Sequence, residues 1–171
     1  MANTLIVYYS RKGENYWNGE IKNLKKGNTE IVAEMIKDMT GGEIFQVDTV
    51  EPYPENYRAC VGKAVDEYKK DARPELKEYP EGIEKYDTIF VGYPNWCGTM
   101  PMAMFTFLEH YDWTGKRIAP FCTNEGSGMG VSERDIRRLC KGAEVTEGLS
   151  IHGAEAAESR SKVEDWVGRL K

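Results

Sequence analysis

The feature that most constrains this chain is a set of short, nearly uninterrupted apolar runs. Residues 4–9 (TLIVYY) and 87–93 (DTIFVGY) lack the polar alternation of a half-exposed strand. A strand built from either is covered on both faces, as in a parallel sheet. Residues 117–122 (RIAPFC) and shorter runs at 43–47 and 144–151 bring the expected strands to five. Helical patterns separate them. Ile31, Val32, Met35, Ile36 and Met39 fall on one helix face, with Asn28 or Thr29 as the cap and Gly41 and Gly42 as the stop. Tyr57, Cys60, Val61, Ala64, Val65 and Tyr68 repeat at helical spacing. Pro101 is placed as a first-turn proline for a helix over 102–109. Ser132 with Asp135, and Ser161 with Glu164, have the spacing of N-terminal capping arrangements. Strands alternating with helices predict right-handed βαβ units. The expected fold is α/β, a doubly wound five-stranded parallel sheet in three α/β/α layers.

Composition bounds what such a fold does here. At 171 residues the chain fits one domain, spanning 1–171. With 40% hydrophobic and 30% charged residues it reads as an ordinary globular chain. No apolar run approaches the roughly 20 residues of a membrane helix, so no membrane insertion is expected. The N-terminus enters a strand-like run without the basic and apolar regions of a signal peptide. A net charge of −5 argues against a nucleic-acid partner. Cys60, Cys97, Cys122 and Cys140 are widely separated and form no CxxC pair. Neither a metal site nor a disulfide framework is expected, and a reducing cytoplasm is the simplest setting.

In an open parallel sheet, ligands gather beyond the carboxyl ends of the strands. Three segments of unusual composition follow such ends: 10–29, 94–100 and 123–130. The first runs from a strand into a helix start, where free N–H groups and the helix dipole favour an anion. Ser10, Asn28 and Thr29 add short donors, and Gly13 and Gly27 let the backbone turn closely. A long surface loop with an ordinary cap accounts for the same residues. No GxxxxGK[ST] is present, and no GxGxxG follows the first strand, which argues against P-loop and dinucleotide sites. The second segment, YPNWCGTMP, offers Trp96 either as a stacking surface for a flat heteroaromatic ring or as a plug on the core. Cys97 has no histidine near it in sequence, since His110 and His152 lie in unrelated segments, and reads as a bystander thiol. The third, TNEGSGMG, is either a loop presenting backbone groups to a ligand edge or a hinge before the Ser132 helix.

With these residues in view, nearly the whole chain resembles the flavodoxin family. Ser10 followed, after an interruption, by Gly27-Asn28-Thr29 is similar to the family's phosphate loop, S/T-x-T-G-N-T. VGYPNWCGTMPMAMFTFLE is similar to the isoalloxazine loop of one flavodoxin branch, and FCTNEGSGMG to its second flavin loop. The insertion covers 13–26 if Gly27 takes the family glycine, and 14–27 if Gly13 does. The resemblance implies strand order 2-1-3-4-5 and one non-covalent FMN. It implies a low-potential one-electron carrier, a cytoplasmic monomer serving redox partner proteins, without substrate turnover of its own, catalytic residue or metal. FMN contacts are then expected at Ser10, Arg11, Lys12, Asn28 and Thr29; at Pro94, Asn95, Trp96, Cys97 and Gly98; and at Thr123, Asn124, Gly126, Ser127, Gly128 and Gly130. A backbone carbonyl in a flexible 95–98 loop is expected to accept a ring proton.

The main alternative is an FMN-dependent NAD(P)H:quinone or azo-type reductase on the same fold, which needs room on the ring face beside Trp96. A receiver-like signalling module fits poorly, because Tyr8-Tyr9-Ser10 and Tyr93-Pro94 stand where its acidic residues belong. The insertion carries Tyr16, Trp17, Ile21 and Leu24 among Lys22, Lys25 and Lys26. It is either a loop packed on its neighbours or a lid or docking surface beside the phosphate. Its removal is expected to leave folding and FMN binding intact.

Overall fold

Every residue of β1 (Thr4–Tyr8) is buried. Leu5 and Val7 enter one core cluster, and Ile6 and Tyr8 the other. A computed structural model describes residues 3–171 and shows why the apolar runs are continuous. β5 (Thr88–Pro94) and β6 (Arg117–Asn124) divide in the same way, with Val91 and Cys122 on one side and Phe90 and Phe121 on the other. Each such side chain contributes about 1.5–3 kcal/mol on burial, so a sheet covered on one face only is not an option for this sequence.

β4 (Glu43–Gln46), β1, β5 and β6 are neighbours in that order and all parallel. Beyond β6 lie two short strands, β7 (Glu144–Val145) and β8 (Leu149–His152), both paired with it. The expected five-stranded sheet therefore has six strands. The run at 144–151 breaks because Gly148 N–H is drawn to the Glu133 carboxylate at 2.9 Å and Glu147 O accepts the Trp166 indole N–H at 3.1 Å. The chain leaves the ladder there and rejoins further along β6. The order also differs from 2-1-3-4-5 when counted along the chain. Two strands, β2 (Gly13–Trp17) and β3 (Glu20–Leu24), intervene before β4 and pair only with each other, antiparallel.

α1 (Asn28–Thr40) and α5 (Arg160–Leu170) cover one face of the sheet, while α3 (Met102–Glu109) and α4 (Ser132–Leu139) cover the other; α2 (Tyr57–Lys69) lies beside α3. The expected caps are displaced. Gly27 precedes α1 and has no side chain to cap it; the Glu30 N–H is taken instead by Ser10 Oγ at 3.1 Å. Ser132 and Asp135 form no capping pair. The Ser132 hydroxyl accepts from Tyr93 and donates to Met129 O, and Asp135 accepts from Thr99. α5 begins one residue before Ser161, so Glu164 pairs with Arg160 at 3.3 Å instead. Among the described residues, no helix is long and apolar enough to cross a membrane.

Candidate functional site

The loops after β5 and β6 are built into one unit. Asn95 N–H donates to Thr123 O at 2.9 Å, its side-chain oxygen accepts from Gly98 N–H at 3.0 Å, and its amide donates to Gly128 O at 2.9 Å. Residues 96–99 form a tight turn closed by reciprocal Trp96–Thr99 bonds of 2.9 and 3.1 Å, with Cys97 at φ 58°. Thr99 is anchored from beneath by Asp135, 3% exposed, at 2.6 Å. Val131 N–H donates to Gly98 O at 2.7 Å. Gly130 sits at φ 56°, where an added Cβ would overlap the Gly98 carbonyl oxygen, so no other residue allows this approach. The expectation of a flexible 95–98 loop is corrected by these bonds.

The glycine-rich loop is likewise folded on itself. Asn124 Oδ1 accepts from both Gly126 N–H and Gly128 N–H at 3.0 Å, an Asx-type turn. Those two N–H groups face inward, where they were expected to face a ligand. Gly98 and Gly130 join the loops behind the site.

At the start of α1, only glycine fits at 27, because a Cβ would overlap Ser10 Oγ and the Arg11 carbonyl. This places Gly27, not Gly13, in the turn before the helix. With Glu30 N–H occupied, the N–H groups of Asn28 and Thr29 have no protein acceptor among the described residues. The Thr29 and Thr123 hydroxyls meet at 2.7 Å and tie the helix start to the end of β6. Asn28 Oδ1 is buried without a partner among the described residues.

These pieces surround a cleft of about 300 Å³. Pro94, Asn95, Trp96 and Cys97 line it from one loop, Thr123, Asn124 and Ser127 from the other, and Arg11, Asn28 and Thr29 from the α1 end. Ser10 and Lys12 instead face a second, polar cleft that also holds Lys25, Lys26 and Asp48. Several lining residues escaped the sequence reading: Tyr57, Cys60, Val61 and Ala64 on α2, Asn15 and Tyr16 on the hairpin, and Glu125 and Gly153. The α2 stripe reads as core, yet Val61 is 41% exposed.

Trp96 both lines the cleft and packs on the core. It meets Tyr9 and Tyr53 edge-on, with ring centres 5.2 and 5.0 Å away. Burial holds the Tyr9 hydroxyl far above its ordinary range. Burial, and then the Glu67 carboxylate it donates to at 2.6 Å, does the same for Tyr53. Both rings are therefore neutral phenols. Burial also raises the Cys97 thiol, which leaves it protonated and a poor nucleophile. His110 stacks on Tyr79, and His152 meets Asn18, so neither serves Cys97.

The hairpin crosses the mouth of this cleft. Asn18 at φ 50° and Gly19 at φ 85° make its turn, the Asn-Gly signature of a two-residue hairpin. At its base, Arg11 donates to Glu14 O and Glu55 O, both at 2.9 Å. The Glu14 carboxylate accepts from Tyr57 N–H at 2.8 Å, and the Tyr16 and Tyr57 rings lie 5.2 Å apart. At its tip, Asn18 N–H donates to Glu125 Oε1 at 2.6 Å, and Asn18 Oδ1 lies 3.0 Å from His152 Nε2.

The family model named Flavodoxin matches residues 24–170. Among solved structures, a candidate flavoprotein from Bacteroides uniformis ATCC 8492 is 23% identical with a TM-score of 0.79, covering 98% of each chain. One from Bacteroides eggerthii DSM 20697 is 24% identical with a TM-score of 0.75, covering 99% of this chain and 98% of its own. A flavoprotein from Lactobacillus acidophilus NCFM, solved in complex with FMN, is 22% identical with a TM-score of 0.66 and covers 92% of this chain and 98% of its own. At these identities the likeness is one of fold. Comparison with curated proteins gives no match.

Proposed function

Because the chain belongs to the flavodoxin family, we propose that it binds FMN in the cleft between its two pinned loops and serves as a low-potential one-electron carrier between partner proteins. The observation that carries this reading is the α1 end of the cleft. Among the described residues two helix N–H groups are free there, a glycine-only cradle lies beside Ser10 and Arg11, and the buried Asn28 Oδ1 lacks a partner. Free N–H donors at a helix start suit a phosphate, and an orphaned acceptor suits a ribityl hydroxyl. The residues present thus fit FMN.

Asn28, Thr29 and Arg11 would hold the phosphate and ribityl chain, and Trp96 and residues 123–127 would flank the ring. The one-electron chemistry is the flavin's own. The protein's part is to bind, orient and tune. Of the carbonyls in the 95–98 turn, those of Trp96 and Gly98 are already engaged, so among the described residues Asn95 O and Cys97 O are the ones that would accept a hydrogen bond from a ring N–H. The net charge of −5 disfavours added negative charge on a bound ring and so lowers its potential. We read 1–171 as one monomeric domain with the hairpin inserted, working in a reducing cytoplasm that its four free cysteines suit.

The reductase reading stays in view for one reason. Trp96 packs edge-on against Tyr9 and Tyr53, and a Trp96 retained in that wall, not laid over the ring, would leave one ring face open to a nicotinamide. One measurement tests the cofactor, and a second separates the readings. Cofactor released by heat from the purified protein should co-chromatograph with FMN, and recovering FAD would overturn the assignment. NADPH with a quinone should then give negligible turnover; rapid turnover makes the protein a reductase.

A further inference from the structure

We propose that the β2–β3 hairpin is a latched strap. Asn15 and Tyr16 form the outer wall of the FMN site, and the contact of Asn18 with Glu125 and His152 governs how fast FMN enters and leaves. The inference rests on the FMN reading above and adds a gate to that site.

The geometry is that of a bridge. Two five-residue strands reach about 17 Å at roughly 3.4 Å per residue. At its base the strap joins the 10–11 segment to the start of α2 through Arg11 and Glu14. Its tip lands on the opposite side, on the loop after β6 and the end of β8. Between these ends it passes over the cleft, which it lines with Asn15 and Tyr16.

The strap is fixed at its ends and little supported between them. Of its ten strand residues only Leu24 is buried, while Tyr16 is 46% and Ile21 42% exposed. Its strands pair only with each other, so it can swing without breaking the central sheet. The latch is small and polar. Glu125, itself a lining residue, accepts Asn18 N–H through one oxygen and Ala154 N–H through the other, at 2.6 and 3.2 Å. His152 Nε2 stands 3.6 Å from the same carboxylate, and the two side chains are 34% and 23% exposed. Hydrogen bonds to a carboxylate are stronger than neutral ones and still reversible. Segments of this kind, with few buried apolar contacts and polar ties, open at far lower cost than a core strand.

The test is the pair of rate constants for FMN, read by flavin fluorescence in stopped flow with the full chain. A latch that gates the site limits both directions, so opening it raises association and dissociation together. A residue that merely adds contact energy raises dissociation alone. Glu125→Ala should raise both rates about tenfold, the worth of one charge-assisted bond, and shift Kd by less than either rate. His152→Ala, which touches the latch and does not line the cleft, should raise both by a smaller factor. Excision of 13–26, joining Ser10-Arg11-Lys12 to Gly27-Asn28-Thr29, should give the fastest exchange and a weaker Kd through loss of the wall. Dissociation that rises while association stays fixed in all three would overturn the gate. Rates unchanged in all three would remove the strap from the site altogether. A wild-type chain that binds no FMN would fail the underlying reading, an outcome visible before any variant is made.

Discussion

The two sides of the cleft are held by different means. The loops after β5 and β6 are locked to each other and to α4 by Asn95, Asn124, Thr99 and Asp135, with Gly98 and Gly130 in backbone contact. The hairpin opposite is tied by a few polar contacts at its ends and has little apolar burial. The locked side fixes the shape a flat ring must match, and binding need not order it. The tied side is where exchange with the outside can be regulated.

The same substitution on the two sides probes this contrast most sharply. Gly130→Ala forces a side chain into a left-handed backbone and onto Gly98 O, so it should cost about 3 kcal/mol in urea unfolding. A change under a third of that would show the two loops to be less rigid than their bonds imply. Next in size, Gly27→Ala fills the cradle against Ser10 and Arg11 and should weaken FMN binding by about 2 kcal/mol, measured by fluorescence titration. Retained affinity would move the phosphate away from the α1 end. Trp96→Ala should weaken FMN binding by about 0.5–1.5 kcal/mol beyond lost burial and restore bound-flavin fluorescence. Unchanged fluorescence would reduce Trp96 to its contacts with Tyr9 and Tyr53. Smallest is Gly19→Ala at the hairpin tip. Its φ of 85° is unfavourable for alanine, but no atom lies within 4 Å of the added Cβ. It should lower stability by about 1 kcal/mol, the low end of left-handed strain alone, because the hairpin adds so little to the core. A larger loss would mean that the strap is part of the folding unit.

The same contrast decides what could be read from sequence. The locked side was legible because its signals are local: continuous apolar runs before 94 and 123, then loops dense in glycine, proline and asparagine. Even there, the partners of Gly126 and Gly128 were not, since only the folded turn shows Asn124 consuming their N–H groups. Ser132 and Asp135 misled for a related reason. Their spacing suits a cap, but tertiary partners, Tyr93 and Thr99, take both side chains. The strap reads as a packed loop, lid or docking surface because Tyr16, Trp17, Ile21 and Leu24 are too many apolar residues for a purely solvated loop. Asn18-Gly19 was the available hairpin signal and was missed. The insertion, expected to be dispensable for binding, lines the cleft with Asn15 and Tyr16. The α2 wall was hidden by its periodicity, since a stripe facing a cleft has the same spacing as one facing a core.

The central claim, an FMN site built for single electrons, is tested most directly by a reductive titration of the FMN-loaded protein, followed by absorbance. Two well-separated one-electron stages, the second at low potential, are the expected result. A single two-electron stage, with rapid reoxidation by quinone, would contradict it and place the protein among the reductases.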